Sequence, residues 1–408
     1  MINPAVQSAF SSHPVAAHAA GECIGALLES GVTSPEIAIL VVTRESAVHL
    51  AEMADLLRET IAPRAILGAA FPGVFAGSDR AVDRPGVAIL AWSPLRLAPS
   101  GRLVAPRRTA ARSLHLGGLE ELRAMWDADP SWADSTAVVV ADPFSVPWTD
   151  WHAATSTPGA PRRLLGGYAS GATRPGATWL LCDDGVRRDG LVVLRTSASI
   201  DVVASSRSVT VGPTRTVTAA EGAELLELDG VGALEACESV LADLGVLVDA
   251  PSALRTGMLR LTVSTPGREG RAASDTGSLS WSDGSAKAWP EPGTGALRCG
   301  RPVGRGDRVA LTLTDTDAAA ADLGQRLGSI GWPGADDGLL AFADVDGTEL
   351  VDDAAVLAAN SALAPAVGVV TEGVLVPGDG GFGIGGGVLA VGVLRGGHDP
   401  EPARFSGG

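Results

Sequence analysis

Two short stretches bring together the side chains with which this chain could do chemistry. In "ADPFSVPW" (141–148), Asp142 and Ser145 follow an apolar, β-branched run. A carboxylate at the end of a strand stands where open sheets present groups to ligands. The same pair is equally suited to cap the turn that follows. In "LLGGYASG" (164–171), Tyr168 and Ser170 lie inside a frame made by Gly166 and Gly171. Such a turn invites two readings, a phosphate cradle and a serine nucleophile, and both fail on the neighbouring residues. A phosphate-binding loop continues into Gly-Lys-Ser/Thr and a helix. Here Gly171 is followed by Ala172, Thr173, Arg174 and Pro175, then by the strand-like "TWLLCDDG". A nucleophile elbow centres its serine between two glycines ahead of a helix. Ser170 instead directly precedes Gly171, and no helical pattern follows.

Nothing else nominates a catalytic group. His13, His18, His49, His115, His152 and His398 show no spacing that marks a general base. Cys23, Cys182, Cys237 and Cys299 are scattered, without metal-ligand spacing, and are expected to be buried thiols in a reducing compartment. Asp315 and Asp317, in "LTDTD", read as helix caps rather than metal ligands. The expectation is a protein that is not an enzyme, with no metal and no cofactor; a hydrolase using Ser170 is the third-ranked reading.

The elements that must position these groups recur. The glycine frame appears three times, as "LGAAFPGV" (67–74), "LLGGYASG" and "VGVVTEGV" (367–374), with its glycines five positions apart. A further glycine precedes an apolar run each time, at Gly86, Gly190 and Gly387. Upstream, "EIAILVVT", "AVVVAD" and "GLLAFAD" are of strand length and composition. Leu50, Met53, Ala54, Leu57 and Ile61 form a helical stripe between strand and frame in the first copy. "DDAAVLAANSAL" (352–363) fills that place in the third copy, and the shorter "PWTDWHAAT" in the second. Helices are also expected before each strand: at Val15, Ala19, Cys23 and Leu27 with Gly31 beyond the end, over 119–126, and at Leu323, Leu327 and Ile330 after Asp317 as N-cap. Each unit therefore reads helix, strand, helix, strand, glycine turn, strand. The helix-joined strands should be parallel and the last pair antiparallel.

These patterns predict an α+β (mixed α/β) fold: repeated α-β-α-β-β units forming mixed sheets covered by helices, in two domains related by pseudo-symmetry. A chain of 408 residues exceeds one ordinary core. The first domain is expected over 1–250, as units at about 1–105 and 106–250, and the second over 251–408. Within the second, 266–306 is rich in Gly, Ser and Pro and reads as an exposed excursion. A net charge of −16 opposes nucleic-acid binding. The start of the chain has no secretory pattern, and no run reaches the length of a bilayer span. The expected location is the cytoplasm. Lys287 is the only lysine, a bias that reads as GC-rich coding.

The order of these motifs resembles the FIST (F-box and intracellular signal transduction) proteins, with both FIST N and FIST C parts, in a stand-alone bacterial form. The similarity is carried by Asp142-Pro143-Phe144-Ser145, by Gly166-Gly167-Tyr168-Ala169-Ser170-Gly171, and by Gly212-Pro213, Val217-Thr218, Glu221-Gly222 and Leu228-Asp229-Gly230. "GDRVALTLTD" (306–315) carries it in the C-terminal part. The resemblance implies a sensory, signal-transduction protein that binds a small molecule, an amino acid or another amino-bearing metabolite. A signalling partner, such as a two-component system, is expected; neither nucleic acid nor membrane is. A cleft between the halves, lined by Asp142, Ser145, Tyr168, Ser170, Gly171, Glu221 and Glu372, is the expected site. Carboxylates there would favour a cationic or amino-bearing ligand. The alternative is a protein-interaction scaffold without a ligand.

Overall fold

The computed structural model describes residues 5–93, 96–97, 103–104, 111–147, 150–196, 198, 200–206, 208–256, 258–264, 285–286, 288–291, 293–299, 303–344, 356–357, 364–378, 381–385 and 388–395. It is an α+β fold with several mixed sheets covered by helices. The first part of the chain forms β1 (Val6–Ser11), β2 (Ile37–Thr43), β3 (Ala65–Phe71), β4 (Gly73–Ala76), β5 (Asp79–Val82) and β6 (Val87–Trp92). A small ribbon, β7 (Arg96–Leu97) and β8 (Leu103–Val104), follows. The second part forms β9 (Arg112–Leu116), β10 (Thr136–Ala141), β11 (Arg163–Tyr168), β12 (Leu180–Cys182), β13 (Gly185–Arg187) and β14 (Leu191–Thr196).

β15 (Ile200–Ser206) opens the third part, which is then interrupted. The interruption comprises β16 (Ser208–Glu221), β17 (Glu224–Leu228), β18 (Val231–Gly232), β19 (Leu259–Ser264), β20 (Ser285–Ala286), β21 (Ala288–Pro290), β22 (Leu297–Cys299) and β23 (Arg308–Thr314). The third part resumes with β24 (Gly338–Asp344), β25 (Ala366–Thr371), β26 (Val374–Gly378), β27 (Gly381–Gly385) and β28 (Val388–Leu394).

Three six-stranded sheets share one pairing scheme: β1-β6-β2-β3-β12-β13, β9-β14-β10-β11-β26-β27 and β15-β28-β24-β25-β4-β5. In each, the helix-joined strands are parallel, as the pattern predicts, but the last strand of the unit pairs antiparallel with the first of them rather than with the second. The hairpin after the glycine frame, however, does not return to its own sheet. β4–β5 joins the third sheet, β12–β13 the first and β26–β27 the second. The frame glycines permit this. A Cβ on Gly68 or Gly166 would collide with the carbonyl oxygen of Leu40 or Val139, and one on Gly368 with the Phe75 ring of the incoming hairpin.

The central strands are buried on both faces, so they read as continuous apolar runs. Alternate residues serve two cores. Ile39, Val41, Val138, Val140, Leu340 and Phe342 share one central cluster among the three sheets. Phe71 and Phe342 meet there edge to face, with centroids 6.4 Å apart. The intervening residues pack outward under helices. Leu40 and Val42 lie under α1 (Ala16–Glu29) and α2 (Leu50–Ile61). Ala137 and Val139 lie under α3 (Leu119–Ala128) and α4 (Trp151–Thr155). The predicted α2 stripe is fully buried, and Gly31 takes a positive φ of 92° just past α1.

Residues 208–314 build a separate eight-stranded sheet with α5 (Ala233–Asp243) and α6 (Ala250–Arg255) over its own core. A boundary at residue 250 therefore falls inside this sheet. The long β16 pairs with β17 on one side and with β23 on the other, tying chain from both sides of that position. Of the segment 266–306, the described strands β20, β21 and β22 belong to this sheet, and much of the rest lies outside the described residues. α7 (Thr316–Ile330) covers the third sheet. Its N-cap is Asp315, which accepts from the Ala318 amide at 2.7 Å; Asp317 sits in the first turn instead. Of the helix expected at 352–363, residues 356 and 357 are helical and the others lie outside the described residues.

All four cysteines are buried thiols. Burial pushes the thiols of Cys23 and Cys237 up to about 12. Among the described residues, no helix is long and apolar enough to cross a membrane.

Candidate functional site

The connector between β11 and β12, residues 169–179, is where the three parts of the chain differ most. The corresponding links are Pro72 alone between β3 and β4, and Glu372 with Gly373 between β25 and β26. The long connector leaves the second sheet, passes the carboxyl ends of β2 and β3, and delivers β12 to the edge of the first sheet. The Trp179 carbonyl accepts from the Ala70 amide at 3.0 Å where it lands.

Between connector and sheet lies a pocket of about 270 Å³. Its walls are Arg44 and Ala47 from the turn after β2, Ala70 from β3, and residues 169–173 and 177–179 of the connector. This is the carboxyl end of a parallel strand pair, the usual ligand position in open sheets. Ser170 and Gly171, singled out in sequence, stand in the wall. Ser170 Oγ accepts from the Glu372 amide at 3.0 Å, and Gly171 takes a φ of 94° against Pro72. The pocket thus rests on turns from the first and third parts of the chain.

Asp142 stands behind the wall. It is 1% exposed, and one carboxylate oxygen accepts from the Ser145 amide (2.9 Å) and hydroxyl (2.6 Å). The other accepts from Thr178 Oγ1 at 2.5 Å. Ser145 Oγ in turn accepts from the Gly190 amide at 2.7 Å. Asp142 and Ser145 therefore cap their own turn and clamp Thr178, a pocket residue. They position the wall rather than reach past it.

Tyr168 fills the equivalent space at the end of β11. Its hydroxyl accepts from Trp151 Nε1 at 2.9 Å and donates to the Val146 carbonyl at 3.0 Å. Burial pushes its phenol pKa up. Its backbone is held by the third part, the amide donating to Gly373 O at 3.1 Å and the carbonyl accepting from Thr371 Oγ1 at 2.5 Å. The side chain is core.

Glu372 is exposed beside Ser170, and Glu221 is exposed at the β16–β17 turn of the eight-stranded sheet. Neither lines the pocket. The sequence-based set is thus brought together in part: Ser170 and Gly171 line the pocket, Asp142 and Ser145 brace it through Thr178, and Glu372 donates its amide to it.

Arg44, Thr178 and Trp179 were not singled out from the sequence. Arg44 carried a signal, since it directly follows "EIAILVVT" at the carboxyl end of the first strand. Trp179 carries the Arg188 guanidinium stacked 3.0 Å from its ring centroid. Among the described residues, no group of three or more histidine, cysteine or carboxylate side chains could hold a metal ion.

Comparison with known proteins identifies the class. Residues 36–231, just under half of the chain, match the model of the FIST N domain, which supports a FIST-type protein of the sensory and signal-transduction class; the match does not extend to the FIST C part of the resemblance. The match runs from just before β2 to β18 and includes the connector, both sides of the pocket and Asp142. The chain is also similar to uncharacterized proteins from two strains of Mycobacterium tuberculosis, Rv0628c and MT0656. Each is 28% identical over 312 residues, covering 76% of this chain and 74% of the relative.

Proposed function

We propose that this FIST-type protein is a cytoplasmic sensor that holds a small molecule in the pocket between the 169–179 connector and the first sheet. The carrying observation is the connector itself. It is the long member of three equivalent links, and it encloses Arg44, Ser170, Thr178 and Trp179 at a strand-end position suited to ligands. An amino acid or another amino-bearing metabolite is the ligand class the family implies, and the pocket's volume suits one such molecule. Occupancy would reach a signalling partner through the turns that meet behind Ser170. No catalytic step is proposed.

A thermal-shift screen of the full chain with amino acids and polyamines tests this. A ligand at 100 times its Kd adds about 2.7 kcal/mol of stability, and Trp179→Ala should remove most of that gain. No stabilisation by any compound at millimolar concentration would overturn the reading.

One observation favours the scaffold instead. Leu247 is fully exposed between the half-exposed Leu244 and Val248, in the loop joining α5 to α6. On that reading, Leu247→Asp would abolish retention of a partner and leave ligand stabilisation intact.

A further inference from the structure

We infer that the pocket reads the acid end of its ligand, a carboxylate or a comparable small anion, and that an amino group is dispensable. The inference rests on this pocket being the ligand site. Three features of its wall point the same way.

The first is Arg44, the one charged side chain among the residues lining the pocket. Its Nε and Nη2 donate to Glu45 Oε1 at 3.3 and 3.2 Å, and Nη2 also donates to Asp83 Oδ1 at 3.3 Å. Exposed pairs of this kind add little stability. They do orient the group, because a planar guanidinium held at two nitrogens has the direction of the third fixed. Nη1 keeps both of its N–H donors among the described residues.

The second is the connector's backbone. Among the described residues, the amides of Ser170, Gly171, Ala172 and Thr173 have no protein acceptor. Gly171, at φ 94°, turns these successive amides out of any strand ladder, the kind of backbone that makes an anion-binding concavity. Ser170 Oγ already accepts from Glu372, so its own proton is available to donate. The wall is rich in donors.

The third is the lack of a seat for an ammonium group. Both oxygens of Asp142 are engaged by Ser145 and Thr178, Glu221 stands on another sheet, and the Glu372 side chain is outside the lining. The aromatic surface is not an alternative, because Trp179 already carries the Arg188 cation on its ring. A second cation there would meet like charge, whereas an apolar chain can pack beside it.

The test is calorimetric titration of the full chain with matched triplets: L-leucine, isocaproate and isoamylamine, then L-phenylalanine, phenylpropanoate and phenylethylamine. In at least one triplet the amino acid and its deaminated acid should bind within about threefold of each other, with the amine about tenfold weaker or undetectable. Arg44→Gln should weaken the acid about tenfold, and Arg44→Lys less, since it keeps the charge but loses the fork. Arg44 is half exposed, so both variants are expected to fold. Amines that bind as well as the acids, or an Arg44→Gln chain that binds the acids unchanged, would overturn the inference while leaving the sensing proposal standing. Failure of all six compounds to bind the unsubstituted chain would overturn the inference, and the sensing proposal falls with it only when the wider amino-acid and polyamine screen also shows no stabilisation.

Discussion

The end of β3 and the end of β11 occupy equivalent places in two sheets built on the same pairing scheme, yet one is open and the other solid. At the end of β3, the residues 169–179 arch over Arg44 and Ala70 and enclose a pocket. At the end of β11, the incoming link is only Glu372 and Gly373, and Tyr168 and Trp151 fill the space with a buried hydrogen-bonded pair. The sheets supply the same platform in both places. What differs is the length of chain between a frame and the hairpin it donates. A short link pulls the hairpin tightly against the sheet, and side chains seal the joint. A long link can stand off and leave room.

The largest expected effect breaks the platform itself. Gly166→Ala places a methyl group against the Val139 carbonyl inside a parallel ladder, where neither strand can yield. It should cost about 3 kcal/mol or more, or prevent folding. Gly171→Ala, in the open joint, has 3.4 Å to its nearest neighbour and should cost only the backbone strain, about 1–2 kcal/mol. Urea denaturation midpoints for the two chains check the ranking, and equal costs would dissolve the distinction between ladder and connector.

The filled joint is probed by Tyr168→Phe. Trp151 Nε1 would lose its acceptor in a buried site, at about 1–3 kcal/mol. The loss should appear in thermal unfolding and leave ligand stabilisation unchanged. The smallest effect on stability, about 1 kcal/mol or less, is expected from shortening the open joint. Deleting 172–177 removes exposed or half-buried chain whose only internal backbone bond is from Ala177 to Arg174. Ligand stabilisation should vanish with the deletion, and its persistence would move the site elsewhere.

Much of this architecture was legible in sequence because it is local. β2, β10 and β24 are uninterrupted apolar runs, and the α2 stripe follows a helical period, so neighbouring residues alone identify them. The destination of each hairpin was not legible. "GVFA" pairs with β25, nearly three hundred positions away, and nothing within a strand names its partner. The same limit put a boundary at 250, inside a sheet whose strands lie on both sides of it. In the site, Asp142 and Ser145 were identified as a pair by spacing, and their role as a turn cap follows from that spacing. Thr178, which Asp142 actually holds, lies beyond a helix, a strand and a loop. Arg44 lies within reach of the strand-end rule that points to Asp142, since it directly follows an apolar strand run.

The exchange of hairpins also sets an order in time. During synthesis, every strand of the first sheet exists once residue 187 has emerged, and that sheet can close early, before the third-part turn that braces the pocket at Ser170 is made. The second sheet waits for β26 and β27, and the third cannot finish until β28 is made. Until then the outer edge of β11 and the whole β4–β5 hairpin are bare, templates for any passing strand. A nascent chain stalled in the eight-stranded insertion would therefore carry a finished first sheet on an unfinished, adhesive body.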